Sequence, residues 1–340
     1  MALLRHLHLP SAHPHYIPYA LANRVQEHLR RGHLDFKDAV SSTSPIRQAR
    51  EPPPPTLVTF TPSPIYTLGR RQTGPLPAAT IARLTAPLRI PSPSQTGRND
   101  HETAATLTPQ VLPSPRGGLT TYHGPGQVVL WPVLDLKSPL HKNFTVKCYA
   151  RLLENTTIAV LASVFGIRAG TTEDPGVWAA ASSGREEDAR KIAALGVHLR
   201  RHVAALGTAL NLAMPGPEVT DEGLNPWARI VACGLEGKGV TSVAGEVGGG
   251  GARGRVMQML EAKMVSGKDG PVLGMEEATA RLWAGEFSQR IGLGEGVEVV
   301  ERGEAVRLME RLVREGDEEG GEAAPEQEER EYLARLGTGR

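Results

Sequence analysis

Aromatic residues and cysteines are scarce in this sequence, and no run of apolar residues reaches the roughly 18 that a membrane-spanning helix needs. Aromatics make up 4% of the 340 residues and hydrophobic residues 40%, so the core must be built mainly from Ala, Val and Leu. Two cysteines, Cys148 and Cys233, cannot make a disulfide framework. We therefore expect a protein without a membrane span, with free thiols in a reducing compartment.

An excess of charge of one sign is also missing. The formal net charge is +1, and no basic block is long enough to follow a phosphate backbone, so we expect no nucleic-acid partner. Residues 1–26 carry Arg5 and Arg24 and no acid, as organelle import sequences do. The stretch "LLRHLHLP" nevertheless alternates like a strand, so folded structure is expected from near Met1.

Proline, glycine and acidic residues mark the divisions of the chain. We predict one core domain over residues 1–314, with Pro/Ser-rich insertions at about 41–56 and 73–115 and a flexible Gly-rich loop at 245–255. Residues 315–340 are acidic and poor in apolar side chains, which predicts a disordered tail.

The remaining segments mix helical and strand patterns. "VKCYARLLENTTIAVLASVFGI" has helical spacing and a glycine, Gly166, placed to end the helix, and 275–293 reads as an amphipathic helix. "RKIAALGVHLRRHVAALGTALNL" predicts strands joined by tight turns at Gly196 and Gly207. The fold class is therefore α+β.

Cys233 is the first candidate for chemistry, in "IVACGLEGKGVTS". A thiol becomes nucleophilic when a cation or backbone donors lower its pKa, and Gly234 leaves backbone N–H groups free to face an oxyanion. The alternative is a small buried structural side chain, which is the commoner role of a free cysteine. Cys148 lies inside a helical pattern without glycine, which predicts a core residue.

A second candidate is "RGGLTTYHGPGQ", where Arg116, Tyr122 and His123 accompany two glycine turns. Such a backbone can bend around a ligand, but two ordinary loop turns explain the glycines equally well. Lys191 opens "KIAALG", and by itself a lysine at a strand start is usually solvated. Histidines near the N-terminus lack a carboxylate or cysteine partner, so we expect no metal site.

Taken in order, the segments "YTLGRR", "PRGGLTTYHGPGQVVLWPVLDL", "PGVW", "RKIAALGV" and "ACGLEGKGVTSV" resemble the lipoyl(octanoyl) transferases. The resemblance covers most of residues 57–72 and 116–243 and, loosely, the helix at 275–293. It implies a fold similar to the biotin and lipoate protein ligase catalytic domain, a mixed sheet flanked by helices. The chain departs from many relatives in having Ala232 before the cysteine, and in longer stretches at 73–115 and after "PGVW".

The resemblance also implies site residues. Cys233 would accept an octanoyl group as a thioester, and Lys191 would lower the pKa of that thiol and act as a general base. The substrate-binding positions that it implies are Arg116, Gly117, Gly118, Leu119, Thr120, Thr121, Tyr122, His123, Ala194, Leu195, Gly196, Leu206, Gly207 and Thr208.

Transfer between a thioester and an amine requires neither ATP nor a metal, so the resemblance implies no cofactor. The implied donor is octanoyl-acyl carrier protein, and the implied acceptors are lipoyl domains of 2-oxoacid dehydrogenase complexes and the glycine cleavage H protein. Mitochondria are the expected compartment, with the cytoplasm as the alternative. Two other functions stay open: an ATP-dependent lipoate or octanoate ligase, and a catalytically silent acyl-protein binding module.

Overall fold

An eight-stranded mixed sheet forms the centre of the molecule. The computed structural model describes residues 3–11, 14–41, 51–91, 105–181, 183–230, 239–249, 251–264, 274–294, 296–319 and 326–338. Its strands are β1 (Leu4–His8), β2 (Thr56–Phe60), β3 (Ile65–Leu68), β4 (Leu88–Ile90), β5 (Ala105–Leu107), β6 (Gln110–Pro113), β7 (Thr121–His123), β8 (Gln127–Asp135), β9 (Ala169–Gly170), β10 (Val177–Ala179), β11 (Arg190–Arg200), β12 (Val203–Asn211) and β13 (Val297–Val299).

The strand order of the large sheet is β13-β1-β2-β8-β12-β11-β10-β9. Strands β13, β1 and β2 run parallel to one another, and every later pair in this order is antiparallel. A second sheet, β6-β3-β7, brings the "TYH" strand beside the large sheet, and β4 pairs with β5.

Helices cover both faces of the sheet. They are α1 (Tyr19–Val40), α2 (Ala78–Leu84), α3 (Val146–Phe165), α4 (Val243–Val247), α5 (Ala252–Glu261), α6 (Met275–Ile291), α7 (Arg302–Glu319) and α8 (Gln327–Thr338). This architecture confirms the predicted α+β class of a mixed sheet flanked by helices. Among the helices in the described part of the chain, none combines the length and the hydropathy that a membrane crossing requires.

Strand β8 shows why the core has two halves. All nine of its residues are buried, and successive side chains point to opposite faces. Leu130 and Leu134 join the cluster that contains Trp283 of α6, whereas Val129 and Trp131 join the cluster under α1, α7 and α8. A strand buried on both faces reads as a continuous apolar run, which is how β8 appears in the sequence.

The long helices begin and end where their sequences indicate. Thr145 caps α3 by accepting a hydrogen bond from the backbone N–H of Cys148, at 3.1 Å. Gly166 ends the helix in the left-handed conformation, with φ of 65°, and Gly292 ends α6 with φ of 90°.

The prediction of turns at Gly196 and Gly207 is wrong. Strands β11 and β12 are long and continuous, the two glycines lie opposite each other inside the ladder, and the turn is made by Arg201 and His202. These glycines permit close approach: a Cβ on Gly196 would lie 3.0 Å from Cδ of Arg116, and one on Gly207 would collide with the carbonyl oxygen of Leu130.

The insertions and the Gly-rich stretch are more ordered than their composition predicts. Within 73–115, the described residues form α2, β4, β5 and β6, while 92–104 lie outside the described residues. Within 245–255, Gly248, Gly249 and Gly251 lie between α4 and α5 and have positive φ values. Residues 42–50 of the first insertion also lie outside the described part of the chain.

The acidic tail differs most from the prediction, because residues 327–338 form α8. Tyr332 and Leu333 are buried and pack in the cluster under α1, with Leu336 one turn further along. Glu329 is fully buried and accepts a hydrogen bond from the guanidinium of Arg24 at 2.8 Å. A few apolar residues at helical spacing and one paired carboxylate are enough to dock this segment, and averaged composition hides them.

The prediction that Cys148 is a core residue is also wrong, because its side chain is exposed. Cys148 lies in the first turn of α3, where Val146 is exposed as well, and burial begins only at Tyr149. The helix therefore starts beyond the edge of the core.

Replacing His202 by glycine should stabilise the protein. Arg201 and His202 form a two-residue hairpin loop with φ of 51° and 68°, a conformation that suits Asn-Gly and is strained for other residues. We expect the free energy of unfolding in urea to rise by about 1 kcal/mol in His202→Gly. The control Arg200→Gly, at a position with negative φ on the adjoining strand, should lose about 0.5–1 kcal/mol. Equal losses in both variants would contradict the strain.

Candidate active site

A small enclosed cavity lies where β7 meets the β11–β12 hairpin. It has a volume of about 30 Å³, room for about two waters at roughly 10–15 Å³ each. We call it the glycine cavity. It is lined by Tyr19, Arg116, Thr121, His123, Trp131, Ala194, Leu195, Gly196, Leu206, Gly207, Thr208 and Ala209.

Arg116 forms the most polar wall of the glycine cavity, and it is buried. Its Nη2 donates to the carbonyl oxygen of Thr67 at 2.6 Å, its Nε donates to Oγ1 of Thr67 at 3.1 Å, and its Nη1 donates to the carbonyl oxygen of Gly117 at 2.9 Å. These acceptors are uncharged. The aliphatic part of the side chain lies over Gly196, where only a glycine leaves room for it. A cation with fixed geometry therefore borders the cavity.

Leu206 carries a backbone distortion at the cavity wall. Its φ is 63°, which is rare for a residue with a branched side chain inside a strand. The buried side chain of Gln26, on α1, compensates by accepting a hydrogen bond from the backbone N–H of Leu206 at 2.6 Å. Helix α1 thus holds the strand in the conformation that sets Gly207 against Leu130.

His123 is a neutral histidine. Burial, with a smaller contribution from the nearby positive charge of Arg116, lowers its pKa to about 3, although a hydrogen bond with Gln127 acts in the opposite direction. Its Nδ1 lies 3.3 Å from Oε1 of Gln127, and its ring stacks on Tyr19 with centroids 6.3 Å apart. Because it is uncharged near pH 7, His123 can shape the cavity without placing a second cation beside Arg116.

A buried chain of hydrogen bonds leads from His123 to the segment that follows Cys233. Nε2 of Gln127 donates to Oδ1 of Asn211 at 2.7 Å, and Nδ2 of Asn211 donates to the carbonyl oxygen of Thr241 at 2.8 Å. Gln127, Asn211 and Thr241 are each at most 4% exposed. We call these four residues the polar chain. It connects the cavity to the strand edge where Lys191 lies.

Lys191 is buried at the start of β11. Its Nζ donates to the carbonyl oxygen of Pro175 at 3.0 Å and lies 4.7 Å from the centre of the Trp178 ring. Its backbone N–H donates to the carbonyl oxygen of Gly239, and its own carbonyl accepts from the N–H of Thr241, both at 2.9 Å. The residues just after the cysteine segment therefore pair with the strand that carries this lysine.

The structure brings together part of the predicted site and separates the rest. Nine predicted residues line the glycine cavity: Arg116, Thr121, His123, Ala194, Leu195, Gly196, Leu206, Gly207 and Thr208. Gly117, Gly118, Leu119 and Thr120 form the loop before β7 and do not line it, and Tyr122 faces the opposite side of that strand. Cys233 belongs to residues 231–238, which lie outside the described residues.

Several residues around the site are missing from the prediction. Tyr19 and Trp131 line the glycine cavity, and Gln26, Gln127 and Asn211 hold its walls. One signal was available: Gln127 and Asn211 are amides at the ends of mostly apolar strands, and a buried amide requires a partner. Tyr19 and Gln26 gave no such signal, because their role comes from the packing of α1 against the sheet.

The chain is similar in sequence to several known proteins. The lipoyl protein ligase A/B catalytic domain matches residues 96–265. A probable octanoyltransferase of Schizosaccharomyces pombe is 35% identical over 224 residues, 66% of this chain and 77% of that protein. The Danio rerio protein named mitochondrial octanoyl-[acyl-carrier-protein]:protein N-octanoyltransferase LIPT2 is 34% identical over 231 residues, 68% of this chain and 79% of that one. An octanoyltransferase of Mycobacterium marinum is 35% identical over 219 residues, 64% and 77% respectively.

The fold, the motif order and these relatives together define an α+β acyltransferase. More particularly, the chain belongs to the lipoyl protein ligase A/B catalytic domain family, among its lipoyl(octanoyl) transferases.

Breaking the polar chain should cost far more than removing a hydroxyl next to it. Asn211→Leu leaves the amide of Gln127 and the carbonyl of Thr241 buried without this partner, so we expect a loss of about 3 kcal/mol in the free energy of unfolding. Thr208→Val is the matched control on the same strand, because Oγ1 of Thr208 has no hydrogen-bond partner among the described residues. It should change stability by less than about 0.5 kcal/mol, measured by urea unfolding. Similar losses in the two variants would contradict a special contribution of the polar chain to stability.

The low pKa of His123 predicts an acid-sensitive contribution to stability. A histidine whose folded-state pKa is about 3 binds a proton on unfolding at any pH between that value and roughly 6.5, so its contribution is complete above pH 6.5 and declines as the pH falls. In His123→Gln, the slope of unfolding free energy against pH between 4 and 6.5 should fall by about 1.4 kcal/mol per pH unit. His198→Gln, on a partly exposed histidine, should reduce the slope less. An unchanged slope in His123→Gln would mean that this histidine is protonated when folded.

Proposed function

We propose that this protein transfers an octanoyl group from octanoyl-acyl carrier protein to the target lysine of lipoyl domains, through a thioester on Cys233. The observation that supports the proposal most is the pairing of Gly239–Thr241 with Lys191. It ties the sequence immediately downstream of Cys233 to a buried lysine, and a nearby ammonium is what lowers a thiol's pKa.

The glycine cavity suits the inner end of an acyl channel. Its walls combine alkyl and aromatic side chains with Gly196 and Gly207, where the backbone itself forms the surface. An eight-carbon chain needs more room than about 30 Å³, so we propose that the channel continues toward the cysteine segment. Arg116, which already bonds to neutral carbonyl oxygens, would fix the mouth of that channel.

The first half-reaction forms the acyl-enzyme. Lys191 takes the thiol proton of Cys233, and the thiolate attacks the thioester carbonyl of the donor. A new carbon–sulfur bond forms, the bond to the pantetheine sulfur breaks, and the leaving thiolate takes the proton back from Lys191. Backbone N–H groups near Gly234 would hold the oxyanion of the tetrahedral intermediate.

The second half-reaction transfers the acyl group to the acceptor. The neutral amine of a lipoyl-domain lysine attacks the thioester carbon, and Lys191 accepts the proton that this amine loses. A carbon–nitrogen bond replaces the bond to Sγ of Cys233, which leaves as the thiolate beside a protonated Lys191. The cycle balances without ATP, a metal or a redox cofactor.

The relatives support the partners and the compartment. One relative is named for an acyl carrier protein donor, a protein acceptor and mitochondria, so we propose the same donor class and the mitochondrion for this chain, with the cytoplasm as the alternative. Lipoyl domains of 2-oxoacid dehydrogenase complexes and the glycine cleavage H protein are the proposed acceptors.

Mass spectrometry of the intact protein mixed with octanoyl-acyl carrier protein tests the nucleophile. We expect one octanoyl adduct that hydroxylamine removes, absent in Cys233→Ser and retained in Cys148→Ser. Cys148 is a stringent control, because its thiol is exposed. Acylation of a lipoyl domain that occurs only with ATP and free octanoate would support the ligase instead. No adduct and no transfer under either condition would support the binding module.

The proposed effect of Lys191 on the pKa of the Cys233 thiol can be tested through the pH dependence of acylation. Without the ammonium the thiol would keep its ordinary pKa of about 8.5 and be only about 3% thiolate at pH 7, so the acylation rate of Lys191→Met should fall about 30-fold there and should recover toward pH 9. Lys147→Met removes an exposed lysine from α3 and serves as the control. Stopped-flow acylation rates across pH measure this, and a profile of Lys191→Met parallel to that of the native protein would contradict the role.

A further inference from the structure

Strand β7 separates two cavities. Thr121 and His123 face the glycine cavity, whereas Tyr122 between them points to the other side, as alternation along a strand requires. There it lines a second and larger cavity of about 230 Å³, together with Gly126, Met214 and other residues. We call it the Met214 cavity. Nothing in the mechanism above uses it.

The walls of the Met214 cavity are mainly apolar, and the residues with polar side chains in its lining are two tyrosines, Tyr16 and Tyr122, and two arginines. Met214, Pro226 and Ala244 supply alkyl surface. The hydroxyl of Tyr122 is buried, has no hydrogen-bond partner among the described residues, and lies against Gly124, next to the cavity-lining Pro125 and Gly126. A buried hydroxyl without a partner is costly, so a ligand with an amide would gain a hydrogen bond here.

Two arginines also belong to the lining of this cavity. Arg89 is about half exposed and donates to Oδ2 of Asp221 at 2.8 Å, and Arg253 comes from the first turn of α5 and is partly buried. Asp221 pairs with Arg89, and the carboxyl of Glu276, whose pKa burial raises, lies near Arg253. A guanidinium group binds a phosphate with two parallel hydrogen bonds, so these two arginines are the groups of the lining that suit a phosphate.

The Met214 cavity lies at one end of the cysteine segment. Ile230, the last described residue before that segment, packs against the cluster containing Tyr122 and Met214, and Ala244 lines the cavity from the other side. Beyond the segment, Gly239–Thr241 pair with Lys191. The described residues on either side of the cysteine segment therefore lie at the cluster beside the Met214 cavity and at the strand that bears Lys191.

We propose that the Met214 cavity binds the phosphopantetheine arm of the acyl donor. The apolar walls take its gem-dimethyl and methylene groups, the Tyr122 hydroxyl bonds to one of its amides, and Arg89 and Arg253 face its phosphate. The acyl chain then enters the glycine cavity on the other side of β7, and the thioester between arm and chain comes to the cysteine segment. This inference rests on the proposed function and assigns the donor's arm a site separate from the acyl chain.

Three octanoyl thioesters test the assignment: the N-acetylcysteamine ester, which is too short to reach the cavity, the pantetheine ester and the phosphopantetheine ester. Ala244→Phe fills the cavity, so we expect its ratio of kcat/KM for the pantetheine ester to that for the short ester to fall about tenfold relative to the native protein. Arg253→Gln should lower the preference for the phosphorylated over the unphosphorylated ester about tenfold. Ala162→Phe, exposed on α3, is the matched control and should keep both ratios.

The outcomes separate this inference from the function beneath it. Parallel losses with all three esters in Ala244→Phe, or phosphopantetheine alone binding equally to native protein and Ala244→Phe in calorimetry, would overturn the arm site while transfer itself stands. Native protein that is acylated by none of the esters and by no octanoyl-acyl carrier protein would defeat the proposed function instead. If Arg253→Gln kept the preference for the phosphorylated over the unphosphorylated ester, Arg253 would not bind the phosphate, and the proposed arm site would be contradicted.

Discussion

The polar chain of His123, Gln127, Asn211 and Thr241 is the constraint on which the site depends. Each link is a hydrogen bond in a region closed to water, where a missing partner is expensive, so the four groups hold one arrangement. The polar chain crosses β7, β8, β12 and the segment after Cys233. It therefore aligns parts of the sequence that are more than a hundred residues apart, and a shift in any one of them would break a bond.

Close backbone approach shapes the surface that this alignment creates. Gly196 and Gly207 lie opposite each other, one beneath Arg116 and the other against the carbonyl of Leu130. Gln26 then holds Leu206 in an unfavourable backbone conformation beside them. Strain that is compensated by a specific buried partner commonly marks a functional surface rather than a packing defect. The result is a cavity whose size is set by backbone and one cation.

Local signals in the sequence predicted helices and the fold class well, because helix caps and hydrophobic periodicity depend on residues that are close together in the sequence. Gly166 ends α3 as expected, and the apolar run of β8 is a strand buried on both faces. The errors share another cause. Glycines that permit close approach look the same as glycines in turns, so Gly196 and Gly207 were misplaced, and averaged acidity concealed the few residues that dock α8.

The site shows the same contrast between local signals and contacts of residues that are distant in sequence. The motifs around Arg116, Gly196 and Gly207 meet at one cavity although the sequence alone could not show them in contact. Tyr19 completes it only because α1 packs across the sheet and brings the Tyr19 ring against Trp131 of β8, which no short-range pattern encodes. A crystal structure of the octanoylated protein would test the account most directly. The account predicts a thioester on Cys233 beside Lys191, with the acyl chain in the glycine cavity against Gly196 and Gly207. An acyl chain in the Met214 cavity, or an adduct on another residue, would contradict it.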